Sequence, residues 1–261
     1  MITPYVDSNG NLKIDPGNMT YIVFCSGGII SNYMAVTLYN KYIKMENDED
    51  PFFNFVISKE RLENVLSAKA EINYIKSKGL LTKYKITVID ADFKEVNEWL
   101  PRFIRDYYEE FMFDRIKIFF GLDRVAIQNN NKIETEDEKI NAMIEYPFAD
   151  LHYHDILGKI IISDYDIITR SILCENPKPD KKYCGECASC IEFEKGLLLL
   201  YSEQFTNKVM NTKVSKLYKE VFGKPIKHMQ TAYSEHGPFL IDYKKATTPK
   251  IKPISRNKKR K

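Results

Sequence analysis

Short apolar runs alternate with longer stretches of helical spacing through most of the chain. Residues 21–25 form an apolar run of strand length, and residues 32–45 follow with helical spacing as far as the acidic loop ENDEDP. A second strand is predicted at 52–57, FFNFVI. Residues 60–78 then place Leu62, Val65, Leu66, Ala70, Ile72 and Ile75 at helical intervals, with Gly79 as the stop. Residues 85–89 alternate as a third strand. Residues 93–120 read as mostly helical, with Pro101 opening a new turn, and 124–128 read as a fourth strand. A loop at 129–131 and a helix at 136–144 follow. Ahead of all this, residues 1–18 carry two turn-rich stretches, SNGN and DPGN, and read as a loop or small hairpin. Strands alternating with helices of this length predict an α/β fold: a parallel sheet with helices on both faces. In such sheets ligands sit outside the carboxyl ends of the strands.

Composition adds little to the fold but something to the setting. Of 261 residues, 44% are hydrophobic and 29% charged, enough apolar surface for a packed core. The longest aliphatic run, residues 197–200, is too short to span a bilayer, and the first residues lack the basic and apolar regions of a secretory signal. A cytoplasmic, reducing setting is expected, with no membrane partner; the Lys/Asn/Ile-rich composition suits an AT-rich genome, viral or bacterial. Charge is unevenly placed. Residues 244–261 hold nine Lys/Arg and no acid, so the 39 basic residues reduce to 30 against 36 acids elsewhere, a net of −6. This tail reads either as a solvated, disordered terminus or as a contact for nucleic acid or another acidic partner.

Four of the five cysteines cluster in CENPKPDKKYCGECASC as Cys174, Cys184, Cys187 and Cys190. Short C-x2-C steps let one turn present two thiolates to one ion, and Gly185 eases the backbone between them. Four thiolates make a closed tetrahedral zinc site, hence structural rather than catalytic. An iron–sulfur cluster is the alternative, because C-x2-C-x2-C also occurs there. Cys25 reads as a small buried strand residue; a nucleophilic role would need a base that nothing in the sequence places beside it. His152 and His154, in LHYHD, lack a third ligand at useful spacing and read as ordinary histidines.

The stretch FCSGGIIS follows the first sheet strand and precedes a helix, as a phosphate cradle does. Its Ser26-Gly27-Gly28-Ile29-Ile30-Ser31 is similar to the SGGxDS loop of PP-loop ATP pyrophosphatases. The segment from YPFADL through LCENP to CGECASCIEFEKG resembles the end of the 7-cyano-7-deazaguanine synthase (QueC) branch of the queuosine pathway. The resemblance spans roughly residues 20–196. It implies an adenine-nucleotide α-hydrolase-like sheet. The implied reaction is ATP-dependent adenylation of a carboxylate, then attack by ammonia toward an amide and a nitrile on a 7-deazaguanine acid. It also implies that Gly27 and Gly28 amides and the Ser26 and Ser31 hydroxyls hold pyrophosphate, with magnesium nearby. The structural zinc would staple the later segment near the pocket for a nucleobase-like substrate.

Three positions depart from that pattern. Ile30 stands where the family has an acid, and isoleucine offers no ligand to a hard cation; Asp90 and Asp92, after the third strand, are candidate replacements. The family's Arg-Asn step before the fourth strand is missing from FDRIKIFFGLDRVAI, and NNNKIETEDEKINAMIEYP replaces its YPDCR-like substrate-reading stretch. Two functions therefore stay open: an amidating PP-loop enzyme, or a degenerate, zinc-stabilised scaffold binding a partner or nucleic acid. A third, sulfur transfer through Cys25, is weaker. The expected organisation is 1–19 as N-terminal loop or hairpin, 20–196 as the α/β domain with the knuckle at 174–190, 197–243 as a mostly helical extension that could dock a second copy of the chain, and 244–261 as the basic tail.

Overall fold

The computed structural model describes residues 3–6, 10, 12–15, 19–43, 51–59, 61–78, 83–129, 131–175, 183–202, 208–226, 230–234 and 237–241. Residues 46–50 of the ENDEDP loop and the basic tail lie outside them. Strands β1 (Thr3–Val6) and β2 (Leu12–Asp15) pair antiparallel. Then come β3 (Thr20–Phe24), α1 (Ile29–Ile43), β4 (Phe52–Ser58), α2 (Leu62–Ser77), β5 (Tyr84–Ile89) and α3 (Val96–Tyr107). A 3-10 segment, Glu110–Arg115, leads into β6 (Ile116–Phe119), followed by α4 (Arg124–Gln128), α5 (Glu138–Met143) and β7 (Ile144–Glu145). The chain continues as α6 (Tyr153–Ser163), α7 (Asp166–Arg170), α8 (Ala188–Ser202) and α9 (Lys208–Phe222), and an antiparallel pair, β8 (Gln230–Ser234) and β9 (Gly237–Ile241).

The five central strands are all parallel, in the order β5-β4-β3-β6-β7. Side chains of β3 alternate between the two faces, as a strand's period of two requires. Tyr21 and Val23 join the core built with α1, α2 and α6 to α9, whereas Ile22 and Phe24 join the core built with α3 and α5. Both faces of the sheet are thus covered, and β3 and β4 are buried along their whole length. Among the described residues no helix is long and apolar enough to cross a membrane.

Two assignments from the pattern are overturned. Residues 124–128 form a short helix rather than the fourth strand, because Asp123 caps it by accepting the Ala126 amide at 2.8 Å. The fourth sheet-core strand is β6, inside the stretch expected to be helical; its residues Ile116, Ile118 and Phe119 are buried against β3. Pro101 lies inside α3. Helix α8 also runs without a break from the cysteine knuckle through Gly196 into the extension.

Topology then marks one place in particular. The chain moves outward from β3 to β4 and β5, then returns to place β6 on the other side of β3. The loops after β3 and β6 flank this switch point, where open parallel sheets bind ligands.

Candidate functional site: the glycine turn and the thiol cluster

The loop after β3 is SGG. Gly27 has φ +79°, a left-handed conformation that glycine adopts without penalty. A Cβ there would also lie 2.6 Å from the backbone oxygen of Asn64 on α2. Gly27→Ala is therefore expected to lose at least about 1–2 kcal/mol from backbone conformation alone, with the clash adding to it. Gly28→Ala, whose Cβ would meet only Ser26 Oγ at 3.5 Å, serves as the control in urea unfolding; equal losses would contradict this account of the turn.

Three hydrogen bonds close a ring across the loop. The Gly28 amide donates to Ser26 Oγ at 3.4 Å, the Ser26 and Ser31 hydroxyls meet at 3.0 Å, and Ser31 Oγ donates to the Gly28 carbonyl at 3.0 Å. Since the Ser31 proton goes to Gly28, Ser26 supplies the proton between the hydroxyls. The first backbone bond of α1 runs from the Asn32 amide to the Gly28 carbonyl at 3.0 Å. The amides of Ile29, Ile30 and Ser31 therefore have no partner within the helix. The first turn of α1 carries no acidic residue, so its positive end is uncompensated. Neutral hydroxyl bonds are weaker than bonds to an anion, so an arriving phosphate could reclaim both serines.

The carbonyl side of the turn is locked from behind. The Ile172 amide donates to the Gly27 carbonyl at 3.0 Å, and Gly28 and Ile172 form a parallel bridge. Ser67 Oγ lies 2.8 Å from the same carbonyl and 2.7 Å from that of Arg170. Asn32 Nδ2 reaches Ser171 Oγ at 3.0 Å and Ser67 Oγ at 3.3 Å. Arg170 holds this segment to α2 through two bonds to Glu71, Nε at 2.7 Å and Nη2 at 3.1 Å, and stacks over Tyr74 at 3.7 Å. Burial pushes the Glu71 carboxyl up, against the pull of Arg170.

Ile30 is half-buried where the SGG turn meets the loop after β6. A Cβ on Gly121 would lie 3.2 Å from Ile30 Cγ2 and 3.3 Å from Ser31 Cα, so the two loops touch. Neither proposed substitute acid is at hand. Asp90 pairs with Lys59 at 2.7 Å and is 80% exposed, and Asp92 caps the turn after β5 by accepting the Lys94 amide at 2.8 Å. Both follow β5, the edge strand on the far side of β4. Cys25 is buried, its thiol directed at the Val23 carbonyl, and burial followed by the Glu71 charge pushes it up to about 12. Such a thiol stays protonated and is a poor nucleophile. His152 and His154 stack on each other at 5.5 Å, and His154 faces Asp155 at 3.6 Å.

Segment 170–174 runs from the locked turn directly to Cys174. The four thiols predicted from spacing come together: their sulfurs all lie within 4.8 Å of one another, Cys184 and Cys190 at 4.0 Å, Cys174 and Cys187 at 4.0 Å. Gly185, at φ +78°, makes the turn between Cys184 and Cys187. Amides of Glu186 and Cys187 donate to the Cys184 sulfur and pull its thiol down to about 6, whereas burial pushes Cys190 up to about 12. Four sulfurs at 2.3 Å from one central ion stand about 3.8 Å apart, close to what is found. A cubane cluster binds each thiolate to a different iron and spreads the sulfurs several ångströms farther. The four thiols together could hold a metal ion.

The site thus defines a class: a parallel α/β protein with a glycine turn at its topological switch point, tied by hydrogen bonds through segment 170–174 to a four-thiol cluster. A solved structure to which the chain is similar is the U34-tRNA thiolase NcsA from Methanococcus maripaludis with its [4Fe-4S] cluster, at 14% identity and TM-score 0.37, covering 78% of this chain and 71% of that one. No protein-family model and no curated protein sequence matches the chain.

Proposed function

We propose that the chain binds ATP on the SGG turn and activates a carboxylate, in the manner of the 7-cyano-7-deazaguanine synthases that its motifs resemble. The observation that carries this reading is the turn itself: the amides of Ile30 and Ser31, without a partner inside the helix, at the uncompensated N-terminus of α1 after the central strand, with the Gly27 carbonyl locked away behind it. In the reaction, a carboxylate oxygen attacks the α-phosphorus of ATP and pyrophosphate leaves with the electron pair of the broken P–O bond. Ammonia then attacks the acyl carbon and expels AMP, leaving an amide. Gly27 and Gly28 shape the cradle, Ser26 and Ser31 donate to the departing pyrophosphate, and the thiol centre, holding zinc, fastens segment 170–174 against the turn. A nucleobase-like acid is the substrate class this reading carries.

Ile30 favours a second reading, a non-catalytic scaffold that keeps the cradle without the magnesium ligand. Calorimetry with ATP and magnesium separates the two. On the enzymatic reading the wild-type chain binds ATP and releases pyrophosphate with a suitable deazapurine acid. On the scaffold reading it does neither, while Ile30→Asp gains magnesium-dependent ATP binding of at least about tenfold, or 1.4 kcal/mol. Should neither chain bind ATP, the turn is not a nucleotide cradle and both readings lose their basis.

A further inference from the structure

A cavity of about 1320 Å³ lies between α2, the end of α9 and the segment that carries Tyr165 to Glu175. Ile168, Leu173 and Leu217 are buried and give it an apolar floor, and Leu66 on α2 adds a side chain that is 58% exposed. Ser67 and Ile172 line it as well, so it lies behind the SGG turn, on the side where these two residues bond the Gly27 carbonyl.

The charged groups around this cavity are answered or solvated. Arg170 is held by Glu71 and Asp164. Glu220 accepts the Tyr165 hydroxyl at 3.1 Å and stands 3.8 Å from Lys216. Glu175 accepts the Ser189 hydroxyl on its carboxylate at 2.7 Å and Arg61 Nη1 on its carbonyl at 3.0 Å. Glu63 is exposed in the first turn of α2, where a carboxylate suits the positive end of the helix. No buried charge there awaits a counterion, which disfavours an ionic ligand.

The unanswered groups are neutral. The Asn64 amide and the Tyr183 hydroxyl line the cavity without a hydrogen-bond partner among the described residues. Both are open to solvent: the closed, unanswered side-chain atoms of the described residues belong to Thr20, Asn32, Tyr39, Asp123 and Asn211. Ser171 Oγ accepts Asn32 Nδ2 at 3.0 Å, and its own proton has no acceptor among the described residues. A carboxamide presents an acceptor beside donors, the complement of a ring edge that carries a donor next to an acceptor.

We propose that this cavity binds an uncharged, flat heterocycle of nucleobase type, as a free nucleoside or as a base carried in a strand. The Asn64 amide pairs with its donor–acceptor edge, the Tyr183 and Ser171 hydroxyls donate to its remaining acceptors, and its faces rest on Ile168, Leu173 and Leu66. The site stands apart from ATP binding, since none of residues 26–31 lines the cavity.

The test uses the full chain, without nucleotide, and inosine as the probe, followed by protein NMR. Inosine carries N1–H beside O6 and no charge; purine riboside is the same molecule without that pair. Millimolar inosine is expected to shift resonances around Asn64 and Tyr183, and purine riboside to bind at least about fivefold more weakly. Asn64→Ala removes no side-chain hydrogen bond of the described fold and is expected to melt close to wild type, yet to weaken inosine about tenfold. Tyr183→Phe keeps the ring against Phe193 and is expected to weaken it less. A short RNA strand carrying inosine that binds far more tightly than the nucleoside would mark a strand as the source, and equal binding would mark the free nucleoside; both support the site. The proposal is overturned if inosine produces no shifts, if purine riboside binds equally, if Asn64→Ala binds inosine as well as wild type, or if the shifts gather on the SGG turn and ATP displaces the probe.

Discussion

Cys184→Ser is expected to abolish metal binding and to lower the melting temperature more than any other exposed substitution in this chain. Cys184 is half-exposed, so the change removes a ligand without opening a cavity in the core. Its sulfur accepts two backbone amides and is the thiol pulled furthest toward the thiolate that a metal requires. Structural zinc contributes roughly 10–16 kcal/mol in small zinc domains, and losing one thiolate of four is expected to remove about 5 kcal/mol of it. For a chain of this size that corresponds to roughly 10–20 °C. The loss should reach the turn, because Cys174 lies two residues after Ile172, whose amide holds Gly27. Metal content by mass spectrometry should fall from one bound metal centre per chain to near zero, and chelation of the wild type should reproduce the lowered melting temperature. Unchanged metal content and melting would show that the thiols are not a metal centre; iron in place of zinc would replace the ion but keep the ligands.

Arg170→Leu carries the second large effect, an expected loss of about 3–5 kcal/mol, because it strands a carboxylate that the fold buries. Glu71 is 1% exposed at its side chain, and Arg170 is its bidentate partner. Replacing both residues with leucine is expected to recover most of the stability, since the loss comes from the unpaired charge rather than from the pair's net contribution. The sign of the pH dependence follows from the same burial. Folding raises the Glu71 carboxyl above its ordinary 4.5, and removing Arg170 raises it further. The folded variant then holds a proton that the unfolded chain has released, so its stability increases as pH falls toward the ordinary carboxylate range and is lost as pH rises. Urea unfolding at neutral and mildly acidic pH would show the deficit narrowing on acidification. A deficit independent of pH, or a double variant as weak as the single, would place the cost in packing over Tyr74 instead.

Several features were legible because they are local. The strands at 20–24, 52–58 and 84–89 and the helices after the first two announce themselves by periodicity alone. Residues 116–128 were misread because the apolar content of IKIFF and RVAIQ is similar over so short a length. What separated them was a cap at Asp123 and pairing with β3, neither visible as a period. Asp90 and Asp92 looked available in sequence, since acids after a strand are near a site in many such folds; sheet order put them two strands away. Asn64 went unnoticed for the opposite reason. One asparagine near a helix start carries no signal until an unanswered amide on a cavity wall singles it out.

By itself, then, the sequence determined the alternation of strand and helix, the glycine turn after the first parallel strand, and a thiol set with metal-ligand spacing. Each of these depends on residues close to one another along the chain, at most sixteen positions apart in the thiol set, so composition and spacing suffice. Only the tertiary structure decided that Ile172 locks Gly27, that Arg170 pairs with a buried Glu71, that Cys25 is sealed in the core, and that Asn64 lines a cavity. Those outcomes depend on desolvation and on contacts between residues up to 145 positions apart, and neither is written in any local pattern.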